Sequence, residues 1–206
     1  MSSTWLPIIK DIVVAGSAFG AAFIAYRGLS TWQRELKGKS EYQLAKDVLR
    51  SVYKVREAFK HVRNPAIMGY EYPEELTTHS GHLKSESRYE GNSHVYQERW
   101  KKMDAAFSEL EELNLEALVE WGSEHQDKIV PLRRCRGELL MAIQDMLHRY
   151  KHPEEGNWKN KEEQANERSI LYHLGDDSKH DKFTPEINSA IKLFEDWLRV
   201  YISRKK

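Results

Sequence analysis

The sequence predicts an all-α protein, with a single N-terminal transmembrane helix followed by a cytoplasmic bundle of about four long helices. Three observations predict it. Ile12–Tyr26 is a run of 15 residues without a charge, whereas the 180 residues from Arg27 onward carry 31 basic and 31 acidic side chains. Beyond the run, apolar residues recur at spacings of three and four, the period of a helix with one buried face. No segment alternates apolar and polar residues for long, as a half-buried strand would. The 206 residues suit an anchor over 1–32 and one all-α domain over 33–206. One Cys excludes a disulfide framework and a multi-Cys zinc finger. A formal net charge of zero excludes a chain that coats nucleic acid non-specifically.

The first element is the membrane segment. A bilayer needs about 20 mostly apolar residues, and the flanks extend the run. Trp5 and Trp32 stand 27 residues apart, roughly 40 Å of helix, so each can occupy one interfacial belt with Arg27 reaching the headgroups. No basic residue precedes Lys10 and no small-residue cleavage pattern follows, which disfavours a cleaved signal peptide; a buried core helix is the other reading. Arg27, Arg34, Lys37, Lys39 and Lys46 follow the run and only Lys10 precedes it. The positive-inside rule then puts the N-terminus outside and the bulk of the chain in the cytoplasm. Gly16 and Gly20 form G-x-x-x-G, and Ser17, Ala21 and Ala25 form a second small row. Small residues four apart let helices approach closely in lipid, which favours self-association. Ser17 is the run's only hydroxyl before Tyr26, so a pore is disfavoured.

Lys37-Gly38-Lys39 reads as a break, and Ser40 with Gln43 as a capping box opening a helix. Its stripe is Leu44, Val48, Val52, Val55, Phe59 and Val62, and Asn64-Pro65 stops it. Residues 64–93 hold Gly69, Pro73, Gly81 and Gly91 with no sustained period, a long connection with one short helix near Pro73–Leu76. A second helix is expected from about His94 to Gly122, burying Trp100, Met103, Phe107, Leu110 and Leu118. Ser123 and Gln126 suggest a cap for a third, with Ile129, Cys135, Leu139, Ile143 and Met146 inward and Pro131 kinking it or marking its start. A loop over 151–160 and a shorter helix over 161–174 come next. Thr184-Pro185-Glu186 opens the last helix, whose stripe is Ile187, Ile191, Phe194, Leu198 and Tyr201.

Charge is uneven along this domain. Residues 27–63 carry 10 basic and 4 acidic side chains, and residues 64–206 carry 21 and 27. The basic part can lie against anionic headgroups; the preferred reading pairs Lys46, Arg50 and Lys54 with Glu109, Glu112, Glu116 and Glu120 of the second helix.

Candidate chemistry is sparse. His79, His82 and His94 read as an exposed loop, and His148 and His152 as basic residues at a helix C-terminus rather than a metal pair. Asp176, Asp177, His180 and Asp181 read as a solvated acidic turn, and Cys135 as a core residue. Arg followed by His at the spacing used by helical HEPN-type ribonucleases occurs three times (Arg56/His61, Arg88/His94, Arg168/His173), against about 1.8 expected by chance. Gly28-Leu29-Ser30-Thr31-Trp32, Leu36-Lys37-Gly38, Glu41-Tyr42 and Val62-Arg63-Asn64-Pro65, with Tyr172, Phe183, Ile191 and Glu195, resemble a pattern in bacterial single-pass membrane proteins of unknown function. That resemblance implies an inner-membrane location and no activity.

The expectation is therefore a non-catalytic, self-associating interaction or signal-sensing module on the bacterial inner membrane. Its expected partners are the lipid bilayer, further copies of the chain and a cytoplasmic protein. No cofactor, metal ligand, catalytic residue or specific nucleic acid is assigned, and an enzyme is the less favoured class. The alternative is a membrane-tethered RNA-cleaving effector of HEPN type, or a membrane-disrupting one in phage defence.

Overall fold

The computed structural model describes residues 5–156, 159–175 and 177–203, and side chains at 5–9, 11–13, 15 and 18 lie outside the description. The described residues form five α-helices and no strand: α1 (Trp5–Val62), α2 (Arg88–Trp121), α3 (Val130–Lys151), α4 (Lys161–Leu171) and α5 (Phe183–Ile202). The chain divides into two units, Met1–Gln43 and Leu44–Lys206.

In the first unit the expected break at Lys37-Gly38-Lys39 and the capping box at Ser40 do not form, because α1 continues through both. One glycine costs a helix only about 1 kcal/mol relative to Ala, and the Glu35–Lys39 pair (3.1 Å) bridges the turn that holds Gly38. Ser17, Ser30 and Thr31 each turn their hydroxyl onto a carbonyl of the preceding turn (2.9–3.0 Å), so none of them interrupts the helix. Among the described residues, no helix is long and apolar enough to cross a membrane. Ile12, Val13, Ala15 and Ala18 of the expected span fall among the side chains not described, as does Trp5.

The second unit has a continuous core that buries most of the stripe residues read from the sequence, whereas Trp100, Leu118 and Tyr201 are only half-buried. Val48, Val52, Val55 and Phe59 of α1 meet Met103, Phe107 and Leu110 of α2, Leu132, Leu139 and Ile143 of α3, and Ile187, Phe194 and Leu198 of α5. Phe59 packs edge-on against both Phe107 (6.1 Å) and Phe183 (6.5 Å). At one end of the core Trp121 stacks on Tyr201 (4.2 Å) and meets Trp197 edge-on (5.6 Å).

Element ends differ from the expectation where packing or a distant residue decides them. α2 begins at Arg88 rather than near His94, and Gly91 lies inside it. A Cβ at Gly91 would collide with Leu83 and press on Tyr72, so this glycine lets the 64–87 connection lie directly on the helix. That connection is built from 3₁₀ turns at Gly69–Glu71, Glu74–Leu76 and Ser85–Ser87. Ser123 does not cap α3; a 3₁₀ segment Ser123–Ile129 intervenes, and Pro131 sits in the first turn. Asn160 caps α4, its side chain accepting the Glu162 and Glu163 amides at 3.0 Å while Glu163 returns to the Asn160 amide. Thr184 is not the cap of α5, because the Asp181 carboxylate accepts the Thr184 amide (2.8 Å).

Candidate functional site

Two arginines occupy positions where the helical period calls for apolar residues. Arg63 follows Phe59 by four residues and is 1% exposed; Arg99 follows Tyr96 by three and is 3% exposed. A buried guanidinium is tolerated only when its N–H groups are satisfied and its charge is paired. Both conditions hold at each.

Arg63 donates from Nε to the Ile170 carbonyl (2.8 Å), from Nη1 to Thr184 Oγ1 (2.8 Å), and from Nη2 to the carbonyls of Ser169 (2.8 Å) and Tyr172 (3.1 Å) and to Asp181 Oδ1 (2.8 Å). Its own carbonyl accepts the His173 amide (2.8 Å). Asp181 Oδ2 accepts the Thr184 hydroxyl (2.7 Å) and the Leu174 amide (3.1 Å). The end of α1, the end of α4 and the start of α5 thus meet on one ion pair. Burial alone would raise the Asp181 pKa, but hydrogen bonds from Thr184 and the charge of Arg63 outweigh it and hold the carboxyl below its ordinary value. Asp177 and His180 are exposed, as a solvated turn requires, whereas Asp181 departs from that reading and is buried in its pairing with Arg63. Asp176 lies outside the described residues.

Arg99 fixes the connection that the sequence left without structure. Its Nε and Nη2 take the two oxygens of Glu71 (2.8 and 3.0 Å), and Nη1 and Nη2 reach the carbonyls of Asn64 (2.6 Å) and Ala66 (2.7 Å). The hydrogen bonds from Arg99, against the opposing effect of burial, hold Glu71 below the usual carboxylate range. A third cluster joins α4 to α3: Lys159 reaches Asp145 (2.8 Å) and Glu167 (2.7 Å), and Arg149 reaches Glu167 (2.7 Å). These three networks join chain segments that lie apart in the sequence.

The packing-face residues Gly16, Ser17, Gly20 and Ala21 lie exposed on α1, and a Cβ at either glycine meets nothing within 4 Å. Trp32 is 57% exposed, and Arg27 lies over the Phe23 ring at 5.2 Å, folded back along the helix toward the uncharged run. Of the expected charge pairs, Lys54 reaches Glu109 (2.7 Å), whereas Arg50 turns to Asp47 on its own helix (2.6 Å). Cys135 is buried, and burial pushes its thiol up to about 11, so it is a core residue and not an activated nucleophile.

The Arg/His spacings fall in three different settings. Arg56 lies over Tyr53 (4.8 Å) beside Glu57, and burial with the charges of Lys102 and Arg99 lowers the His61 pKa. Arg88 lies over Tyr150 (4.2 Å). The His173 ring sits against Thr184 (3.2 Å) and Asp181 (3.5 Å), inside the Arg63 network. His79 and His82 flank a tight turn, where the Thr78 amide donates to the His82 carbonyl (2.8 Å) and Gly81 takes a positive φ. His148 in the last turn of α3 and His152 just after it stand at the helix C-terminus as expected, and the Pro153–Glu155 turn also brings Glu155 and Glu154 to their ring nitrogens at 3.1 and 3.2 Å.

Among the described residues, the fold and these networks define an all-helical bundle in which buried arginines tie helix ends and a connection. No protein-family model, curated protein or solved structure matches the chain.

Proposed function

We propose that the chain is a membrane-anchored, non-catalytic helical module, held by the N-terminal part of α1, whose bundle recruits a protein partner. One observation carries this reading: Val14 (56% exposed), Phe19 (80%) and Ile24 (73%) stand uncovered on α1. At about 100° per residue these three project to different sides of the helix. Apolar side chains on several sides of the uncharged run suit an apolar surrounding, whereas an in-plane amphipathic helix would keep one polar face. The serine hydroxyl in the run is already satisfied by its own backbone, as lipid requires. The basic residues after the run favour an N-outside orientation in a bacterial inner membrane, with the bundle in the cytoplasm.

Tagged protein is expected to pellet with membranes, survive a carbonate wash and be released by detergent. Recovery in the soluble fraction would overturn the reading. The Gly16/Gly20 face, with Ser17 and Ala21, would let copies associate and raise the local concentration of bundles for a shared partner. Replacing both glycines by Leu is expected to reduce association in a membrane dimerisation reporter. Unchanged association removes that face from the proposal without touching the anchor.

A further inference from the structure

We propose that His148, His152, Glu154 and Glu155 form a binding site for one divalent transition-metal ion of zinc type, at the C-terminal end of α3. His148 and His152 are four residues apart and so lie on one side of the last turn, their ring centroids 4.7 Å apart. His152 leaves the helix with φ −124° and ψ 63°, and the Pro153–Glu155 turn folds the next two carboxylates back over the imidazoles. His148 Nε2 then stands 3.1 Å from Glu155 Oε2, and His152 Nδ1 stands 3.2 Å from Glu154 Oε1. One ligand atom from each of His152, Glu154 and Glu155 lies within 4.8 Å of the others.

The separation within each His–Glu pair is close to that between two ligands of one ion, and bringing both pairs onto a single ion takes rotation of the side chains. Two ligands at about 2.0–2.1 Å from a tetrahedral zinc lie about 3.3–3.4 Å from each other, so the nitrogen and oxygen of each pair are already near their ligand positions. All four side chains are at least a third exposed, so an ion from solvent can reach them. Two imidazoles with two carboxylates select a borderline ion such as Zn²⁺ over Ca²⁺ or Mg²⁺, which take oxygen ligands. A bound ion would join the last turn of α3 to the turn that follows it. The site is built by a stretch of eight residues within the second unit, independently of the membrane anchor.

The test is zinc titration of the full detergent-purified chain, carrying no polyhistidine tag, against a chromophoric chelator, with bound metal counted by atomic emission. One ion per chain is expected, unaffected by excess Ca²⁺. His148→Ala, His152→Ala and Glu155→Gln are each expected to weaken binding by about tenfold or more, with the helical circular dichroism unchanged. His79→Ala/His82→Ala is the control and is expected to bind as the parent does. Equal zinc affinity in the parent and in His148→Ala/His152→Ala would overturn the proposal, as would loss of binding in the His79→Ala/His82→Ala control or the absence of a stoichiometric ion in the parent.

Discussion

Arg63→Met is expected to lower the unfolding free energy by about 3–5 kcal/mol, read as a shift in the urea midpoint at unchanged slope. The substitution keeps an unbranched apolar stem but strands Asp181, whose carboxylate is fully buried, without its cation. It also frees the Ile170, Ser169 and Tyr172 carbonyls from their donor. For a domain of this size the loss is a large fraction of the total stability. Replacing both partners, Arg63→Met with Asp181→Leu, is expected to recover part of it, because an apolar pair leaves no stranded charge. A midpoint unmoved by Arg63→Met would mean that the ion pair adds nothing to stability. The pair also sets an acid limit. Asp181 has a folded pKa below its ordinary 3.8, so its contribution is complete above about pH 4 and is lost as pH falls through the folded value. The parent's midpoint is therefore expected to fall more steeply below pH 4 than that of the double variant.

Phe59→Ala is expected to cost a similar amount, about 3–5 kcal/mol, by the different route of an unfilled cavity. Phe59 is 1% exposed and its ring is shared between Phe107 on α2 and Phe183 on α5, so one truncation removes contacts between three helices. Phe59→Leu, which keeps most of the volume, is expected to lose clearly less, and equal losses would point away from packing. The two effects are linked through one ring, because the Arg63 guanidinium also lies over Phe183 at 5.1 Å. Combining Phe59→Ala with Arg63→Met is therefore expected to depart from additivity by about 0.5–3 kcal/mol, whereas strict additivity would mean that Phe183 does not couple them.

Local physics was legible in the sequence. The stripes from Leu44 to Val62, from Met103 to Leu110 and from Ile187 to Leu198 are buried where their period placed them, because side chains three and four apart share one helix face wherever that helix packs. Asn64-Pro65 ends α1 next to Val62 and Gly122 follows the last residue of α2, since both act through their own backbone. The break expected at Gly38 does not form, because a glycine signals only a cost, and neighbouring helical turns decide whether that cost stops the helix.

The candidate sites were half visible. Arg63 and Arg99 fall in register with the apolar stripes, and a charge in such a register is itself a sign of a buried, paired group. Their acceptors were not visible: Asp181 lies 118 residues from Arg63, and Glu71 lies in a connection without periodicity. The His148–Glu155 cluster is close in sequence, yet the turn at Pro153 alone brings its carboxylates onto the rings. By itself, the sequence determined the helical class, the buried faces and the uncharged run of α1, all of which depend on neighbours within one or two turns. Which charge meets which, and which loop lies on which helix, was decided by the tertiary structure, because a buried guanidinium takes its partner from whatever chain the packing delivers.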